Sequence, residues 1–137
     1  MASVLYPYGK QALLNGDIDL DSDVIKVRGV SRSDYSYSDA HQFISEVNGY
    51  KDTGDYTLTG VDIALGVFDA NDATPWASNV DIDNTKTIDA WVIFKDTNSA
   101  TTSQLIAYID IESNAVTPNG SDINIVWDDG VNKIFRI

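Results

Sequence analysis

The sequence predicts a mainly β protein, an antiparallel β-sandwich of the jelly-roll or Ig-like type formed by a single domain over residues 1–137. Nineteen of its 21 acidic residues are Asp, which favours turns and caps, and Glu, the better helix former, occurs only at Glu46 and Glu112. Ile and Val, which suit a pleated sheet, together number 26 against seven Leu. Alternating apolar segments recur about every ten residues with no helical pattern between them, which favours antiparallel pairing.

The formal net charge of −12 bears on the partners that the chain can bind. Nucleic acid and anionic membranes would repel it, so the sequence predicts neither as a partner. The apolar runs are too short to span a bilayer, and no basic segment leads into an apolar stretch as in a secretory signal. The absence of Cys excludes disulfides, thiolate metal sites and Cys nucleophiles.

The N-terminal segment, about residues 1–23, is predicted to be extended or short-helical. Ala12, Leu13 and Leu14 favour a short helical turn between Gly9 and Asn15, and Gly16 is a stop signal. In residues 17–23 an Asp stands at every second position. This stretch is expected to lead, in an extended conformation, into a first strand at 24–30.

One short surface helix is predicted around residues 38–47. Its apolar positions Ala40, Phe43, Ile44 and Val47 have the spacing of one helical face, and Gly49 can end the helix. The side chains between them are polar. We therefore expect this helix to pack on one stripe and to leave the opposite face in solvent.

The strands that follow are predicted from alternation between apolar and polar positions, at residues 61–68, 79–83, 88–95, 105–111 and 122–127. Asp129-Gly130 is a strong tight-turn pair, so the last strand is expected to form an antiparallel hairpin with residues 131–137. Strands 88–95 and 105–111 are apolar on both faces, which predicts that the helix and N-terminal segment, or another subunit, cover the outer face.

Clusters of acidic residues raise the question of a cation site. Asp17, Asp19, Asp21 and Asp23 do not fit an EF-hand loop, because no starting point places Gly at the sixth position and Glu at the twelfth. A second cluster comprises Asp69, Asn71 and Asp72, the weak metal candidates of this sequence. We interpret it as a loop closed by Asx-turns, with Trp76 anchoring its exit. No metal or other cofactor is predicted.

No residue is predicted to be catalytic, and the protein is predicted not to be an enzyme. His41 is the single histidine, no G-x-S-x-G turn occurs, and one His without Cys cannot supply the ligands of a zinc site. His41 is expected to pack its ring at the boundary of the core. Among nineteen Asp some pair will always lie at the distance that glycoside hydrolysis needs, so such a pair does not discriminate.

Several segments together resemble a family of small virion structural proteins of tailed bacteriophages, most closely the capsid decoration or cement proteins. The segments are LYPYGKQALLNGDIDLDSDVIKV, YSYSDAHQFISEV, FDANDATPW, AWVIFKDT, LIAYIDI and INIVWDDGVNKIFRI. They cover nearly the whole chain, although no single motif is diagnostic. One departure is Val27-Arg28-Gly29-Val30, where a more uniformly apolar strand is expected.

The resemblance implies a non-enzymatic β-sandwich on the capsid exterior, made in the host cytoplasm. Its partner is then the major capsid protein, which it decorates and stabilises as a homo-oligomer, with a trimer favoured by the geometry of capsids. An interface needs aromatic or aliphatic residues at its centre. The interface candidates are Leu5, Tyr6, Tyr8, Tyr35, Tyr37 and Trp76.

Two alternatives stay open. The first is a neck, tail or fibre-attachment protein of the same virion, which differs in copy number per particle. The second is a carbohydrate-binding β-sandwich module, in which Trp76 or exposed tyrosines stack on sugars beside an Asp-lined calcium ion.

Overall fold

The fold was analysed in a computed structural model that describes residues 3–49, 55–78, 87–111 and 114–137. The elements are β1 (Val4–Leu5), α1 (Pro7–Asn15), β2 (Ile25–Val30), a 3₁₀ helix (Ile44–Glu46), β3 (Tyr56–Thr57), β4 (Asp62–Ala64), β5 (Val67–Asp69), β6 (Ala73–Ala77), β7 (Ala90–Lys95), β8 (Leu105–Asp110), β9 (Ile123–Ile125) and β10 (Phe135–Arg136). The protein is mainly β, as the sequence predicts.

All pairings between the strands are antiparallel. A five-stranded sheet has the order β1-β8-β7-β2-β3, a three-stranded sheet the order β10-β5-β4, and β6 pairs with β9. The predictions at 24–30, 88–95, 105–111 and 122–127 are confirmed as β2, β7, β8 and β9. The predicted strand at 79–83 lies outside the described residues.

The five-stranded sheet buries apolar side chains on both faces. On one face Val27, Trp91 and Ile93 pack with Phe68 and Trp76 from the small sheets. The opposite face carries a second cluster, which we call the tyrosine cluster; it comprises Tyr6, Val30, Tyr35, Ile44, Val47, Ala90, Val92, Phe94, Leu105 and Tyr108. The outer face is therefore covered within the chain, by Tyr6 and by side chains of residues 31–49.

Helix α1 begins at Pro7, a favoured first helical residue, and ends at Gly16, whose φ of 79° is the left-handed conformation of a helix C-cap. The helix lies close on β8, since a Cβ atom on Gly9 would be 2.5 Å from the carbonyl oxygen of Leu105. The prediction of a short helical turn here is confirmed. The Asp-rich stretch after it is a turn and not extended, because Asp23 N–H donates to the Asp19 carbonyl oxygen at 2.8 Å.

The predicted helix around 38–47 is wrong in type and length, because this segment contains only the 3₁₀ helix Ile44–Glu46. Its backbone groups pair with the sheet. Phe43 forms an antiparallel bridge with Gln104, and Ile44 N–H donates to the Ser103 carbonyl oxygen at 2.9 Å. These bonds take the place of helical bonds, so Ile44 and Val47 reach the core from an extended approach.

The predicted strand at 61–68 is a hairpin of β4 and β5. Leu65 and Gly66 turn the chain with φ angles of 52° and 80°, the left-handed conformation that a two-residue hairpin loop needs. Glycine adopts it freely, whereas a branched side chain at Leu65 does not. The side chain of Leu65 is 97% exposed at the tip.

The predicted hairpin across Asp129-Gly130 is also wrong, because β9 pairs with β6 while β10 pairs with β5. The chain leaves β9 at Trp127, whose N–H donates to the Asp72 carboxylate at 2.9 Å. Asp128 then accepts the N–H of Gly130 at 2.9 Å, which closes a local turn. The segment between the two strands therefore carries the chain from one small sheet to the other.

Candidate docking surface

Three of the six interface candidates belong to the interior of the molecule. Tyr6 is 0% exposed, Tyr35 4% and Trp76 5%. Leu5 and Tyr37 are half-buried beside the two clusters, and Tyr8 on α1 is 40% exposed. Of the six, only Tyr8 therefore offers a large part of its ring to a partner.

The buried phenols form a hydrogen-bonded chain that ends at the single histidine. The hydroxyl oxygens of Tyr6 and Tyr35 lie 2.8 Å apart, and the Tyr35 oxygen lies 2.8 Å from Nδ1 of His41. Burial raises the pKa of Tyr35 to about 12 and raises that of Tyr6 further from its ordinary value. A nucleophilic phenolate would need a lowered pKa. The raised pKa values keep the hydroxyl groups of this hydrogen-bonded chain neutral.

The weak metal candidates do not converge on one point. Asp72 accepts the Trp127 N–H, while Asp69 accepts the N–H of Ala70 at 2.9 Å. The Asn71 side chain lies against Gly60. Neither bond is the Asx-turn that the sequence predicts, because Asp69 bonds the next residue and Asp72 reaches across to the residues after β9. Among the described residues no three His, Cys, Asp or Glu form a group that could hold a metal ion.

The cations of the chain are distributed unevenly. Seven of the nine lie in the described ranges. Four of these pair with carboxylates at close range: Lys26 with Asp96, Arg28 with Asp55, Arg32 with Asp110, and Lys95 with Asp23. Lys133 has only loose partners, Asp69 and Asp129, each at 3.8 Å. Lys10 and Arg136 are exposed and have no carboxylate partner within the described part of the chain.

These three less neutralised cations line one groove of about 710 Å³, which we call the terminal groove. Its walls are formed by β1, α1, the end of β8 and residues 128–137; the lining residues are Ser3, Val4, Leu5, Lys10, Ile109, Asp128, Asn132, Lys133, Ile134, Phe135, Arg136 and Ile137. It contains three cations against the single carboxylate side chain of Asp128. Asp69 and Asp129 also lie beside Lys133, so the cations of the groove without a described carboxylate partner are Lys10 and Arg136.

Two sheet edges that no other described strand pairs with face this groove. β1 is the edge strand of the five-stranded sheet and β10 is the edge strand of the three-stranded sheet. Tyr6 N–H donates to the Ile106 carbonyl oxygen at 2.9 Å, so Val4 and Tyr6 present their backbone groups to β8. Because the direction alternates along a strand, the N–H and C=O of Leu5 point away from β8.

The same alternation applies to β10. Ile137 N–H donates to the Gly66 carbonyl oxygen at 2.8 Å, and Phe135 pairs with Phe68. The backbone groups of Arg136, between them, point away from β5. Leu5 and Arg136 both line the terminal groove, so each wall carries outward-facing backbone groups next to a cation or an apolar side chain.

An apolar tip adjoins the groove. The bond from Ile137 to Gly66 places the C-terminal wall directly beside the β4–β5 turn. Leu65 in that turn is 97% exposed and Ile137 is 67% exposed. Two exposed apolar side chains therefore lie near the groove, next to the residues that line it.

Sequence reasoning did not find the terminal groove. Apart from Leu5, which lines the groove, it selected aromatic residues, and the fold buries most of these because aromatic side chains serve both cores and interfaces. The residues that could have indicated the groove are Lys10, Lys133 and Arg136, which lie in segments too short to fold on their own. That signal becomes informative only when the pairing of β1 with β8 and β10 with β5 is known.

Fold and surface together define a mainly β domain with a cationic groove between open sheet edges. Comparison with models of protein families, with curated proteins and with solved structures found no match. In the part of the chain that the structure describes, no helix is long and apolar enough to cross a membrane.

Proposed function

We propose that the protein is a non-enzymatic structural protein of a tailed-phage virion that docks on the major capsid protein and stabilises the shell from its exterior. The observation that carries the proposal is the terminal groove, where two sheet edges and three cations face solvent together. Open edges are sites at which another chain can pair, and natural proteins usually protect them. The resemblance of the sequence to decoration proteins supports the same role.

The charge of the molecule also supports the proposal. A decoration protein is held at high local density on a shell, where like charge limits aggregation. The net charge of −12 serves this purpose over most of the surface. The terminal groove carries cations instead. Electrostatics therefore favours contact with a partner at the groove and opposes it over the rest of the surface.

Co-sedimentation tests the proposal. Expanded capsids of the source phage, prepared without this protein, are mixed with the purified chain and pelleted. We expect the wild-type protein to pellet with the capsids and the double variant K10E/R136E to remain in the supernatant. The control is K26E, which changes a cation outside the groove. Failure of the wild-type protein to bind would contradict the assignment.

We further propose a homo-oligomer, with a trimer around a local threefold axis of the shell favoured. Native mass spectrometry measures it directly, and a monomer at high concentration would contradict a preformed trimer. The alternative of a neck, tail or fibre-attachment protein is decided by copy number per particle, since a shell protein is present in many more copies than a connector.

The carbohydrate-binding alternative has less support. It needs exposed aromatic rings as stacking platforms, and Trp76 is only 5% exposed. Tyr8 remains accessible, but among the tyrosines in the described ranges it is the one that is classed as exposed.

A further inference from the structure

We propose that the terminal groove binds an extended acidic segment of the partner protein, which adds as a new strand to the open edge of β1. The inference rests on the proposed function only for the identity of the partner. It specifies the chemistry of what is bound: a strand in which carboxylate side chains alternate with apolar ones.

Charge complementarity selects an acidic occupant. Lys10 and Arg136 have no carboxylate within the described ranges, and the nearest partners of Lys133 are 3.8 Å away. The other described cations already have close carboxylate partners. An incoming carboxylate therefore meets available donors in the terminal groove, where it forms charge-assisted hydrogen bonds.

Backbone geometry selects an extended occupant. The outward N–H and C=O of Leu5 can pair with one residue of an added strand, as the inner edge of β1 pairs with β8. On the opposite wall the backbone groups of Arg136 also face outward. A strand lying between these walls satisfies groups that a compact ligand would leave to water.

The lining of the groove explains why acidic and apolar side chains alternate in the proposed strand. Its walls are cationic at Lys10, Lys133 and Arg136 and apolar at Val4, Leu5, Ile109, Phe135 and Ile137. Side chains of an added strand point alternately to the two sides. Its acidic positions can thus meet the cations while its apolar positions cover the exposed part of the apolar wall, within a volume typical of ligand grooves.

Fluorescence anisotropy with a labelled synthetic peptide of alternating Val and Asp tests the inference on the full chain. Two control peptides accompany it: one alternates Val and Lys, and one keeps the Val/Asp sequence but is N-methylated at every peptide bond, which removes the backbone donors of both edges without changing charge. We expect the Val/Asp peptide to bind at least about tenfold more tightly than either control. The variant K10E/R136E should lose binding by a similar factor, and K26E should not.

Equal binding of the N-methylated peptide would overturn strand addition, and no binding of the Val/Asp peptide would overturn the acidic occupant. Sedimentation velocity of the protein alone tests a second copy as the occupant. Self-association that K10E/R136E abolishes would replace the partner segment with a copy of this chain. If capsids bind but the peptide does not, this inference fails and the proposed function stands; the reverse result rejects the function alone.

Discussion

A Cβ atom on Gly29 would lie 2.7 Å from Cη2 of Trp76, so the indole packs directly against bare backbone at this position. The Trp76 Nε1–H group donates to the Val27 carbonyl oxygen at 3.2 Å, and its ring meets Trp91 edge to face at 4.9 Å. The departure noted in the sequence at Arg28-Gly29 therefore has a structural reason. Gly29 makes room for the ring that joins β6 to the central sheet.

The substitution Gly29→Ala is expected to destabilise the protein by about 1–3 kcal/mol, because Trp76 and Trp91 both have to move away from the added methyl group. Urea unfolding followed by Trp fluorescence measures the change. Gly130→Ala is the matched control, since its Cβ would approach only the exposed carboxylate of Asp128 at 3.2 Å. An equal loss of stability in both variants would contradict the packing argument.

Replacement of Arg28 by Lys tests how Asp55, the residue before β3, is held in place. The Arg28 guanidinium donates two hydrogen bonds to Asp55, at 2.8 and 2.9 Å, and one to the Val47 carbonyl oxygen at 2.8 Å. Lys keeps the charge but cannot form this planar fork. We expect Arg28→Lys to cost about 1–3 kcal/mol in chemical unfolding, whereas Lys26→Arg should stay within about 0.5 kcal/mol.

Tyr6→Phe removes one hydroxyl group from the buried phenol chain. Tyr35 keeps its bond to His41, so the expected cost is that of one net hydrogen bond, about 0.5–1.5 kcal/mol. Thermal unfolding at neutral pH measures it. Tyr8→Phe alters an exposed ring and should leave the midpoint unchanged; a comparable shift in both variants would refute the assigned role of the Tyr6 hydroxyl.

The same phenols predict that the protein loses stability in alkali. Burial, the largest cause, raises the pKa of Tyr35 from 10.0 to about 12 and raises that of Tyr6 as well. Between pH 10 and 12 the unfolded chain has released protons that the folded protein still holds, so the free energy of unfolding falls as pH rises. The slope is at most about 1.4 kcal/mol per pH unit for each tyrosine.

Urea titrations across this pH range measure that slope. Tyr6→Phe removes one of the shifted groups and should make the dependence shallower than in the wild-type protein. A slope that is the same in both proteins would assign the alkaline loss to other groups.

The sequence predicts a strand correctly where the strand's own residues determine that it is buried. β7 and β8 are apolar on both faces, and only a central strand satisfies that pattern. The segment around Phe43 and Ile44 has an equally good helical pattern, but its backbone bonds go to Ser103 and Gln104. Periodicity contains no information about a competing partner so distant in sequence.

The terminal groove was unpredictable for a related reason. The sequence marks Leu5 as an interface candidate but not Arg136, and the two line one groove only through two separate strand pairings. The tyrosines were conspicuous in the sequence, but their local context does not reveal that Tyr6 and Tyr35 meet inside the molecule. Clusters of aromatic residues thus indicated a core, and the exposed contact surface was marked by sparse cations.

The pairing of Val4 with Tyr108 also bears on the order in which the protein folds. Contacts between distant parts of a chain form slowly, because the intervening residues must be organised first. During synthesis, β1 emerges well before its pairing partner β8. β10, which forms the opposite wall of the groove, emerges after both. The terminal groove takes residues from β1, β8 and β10, so it exists only after both pairings have formed. The surface that we propose for docking is therefore a property of the folded chain and not of either strand alone.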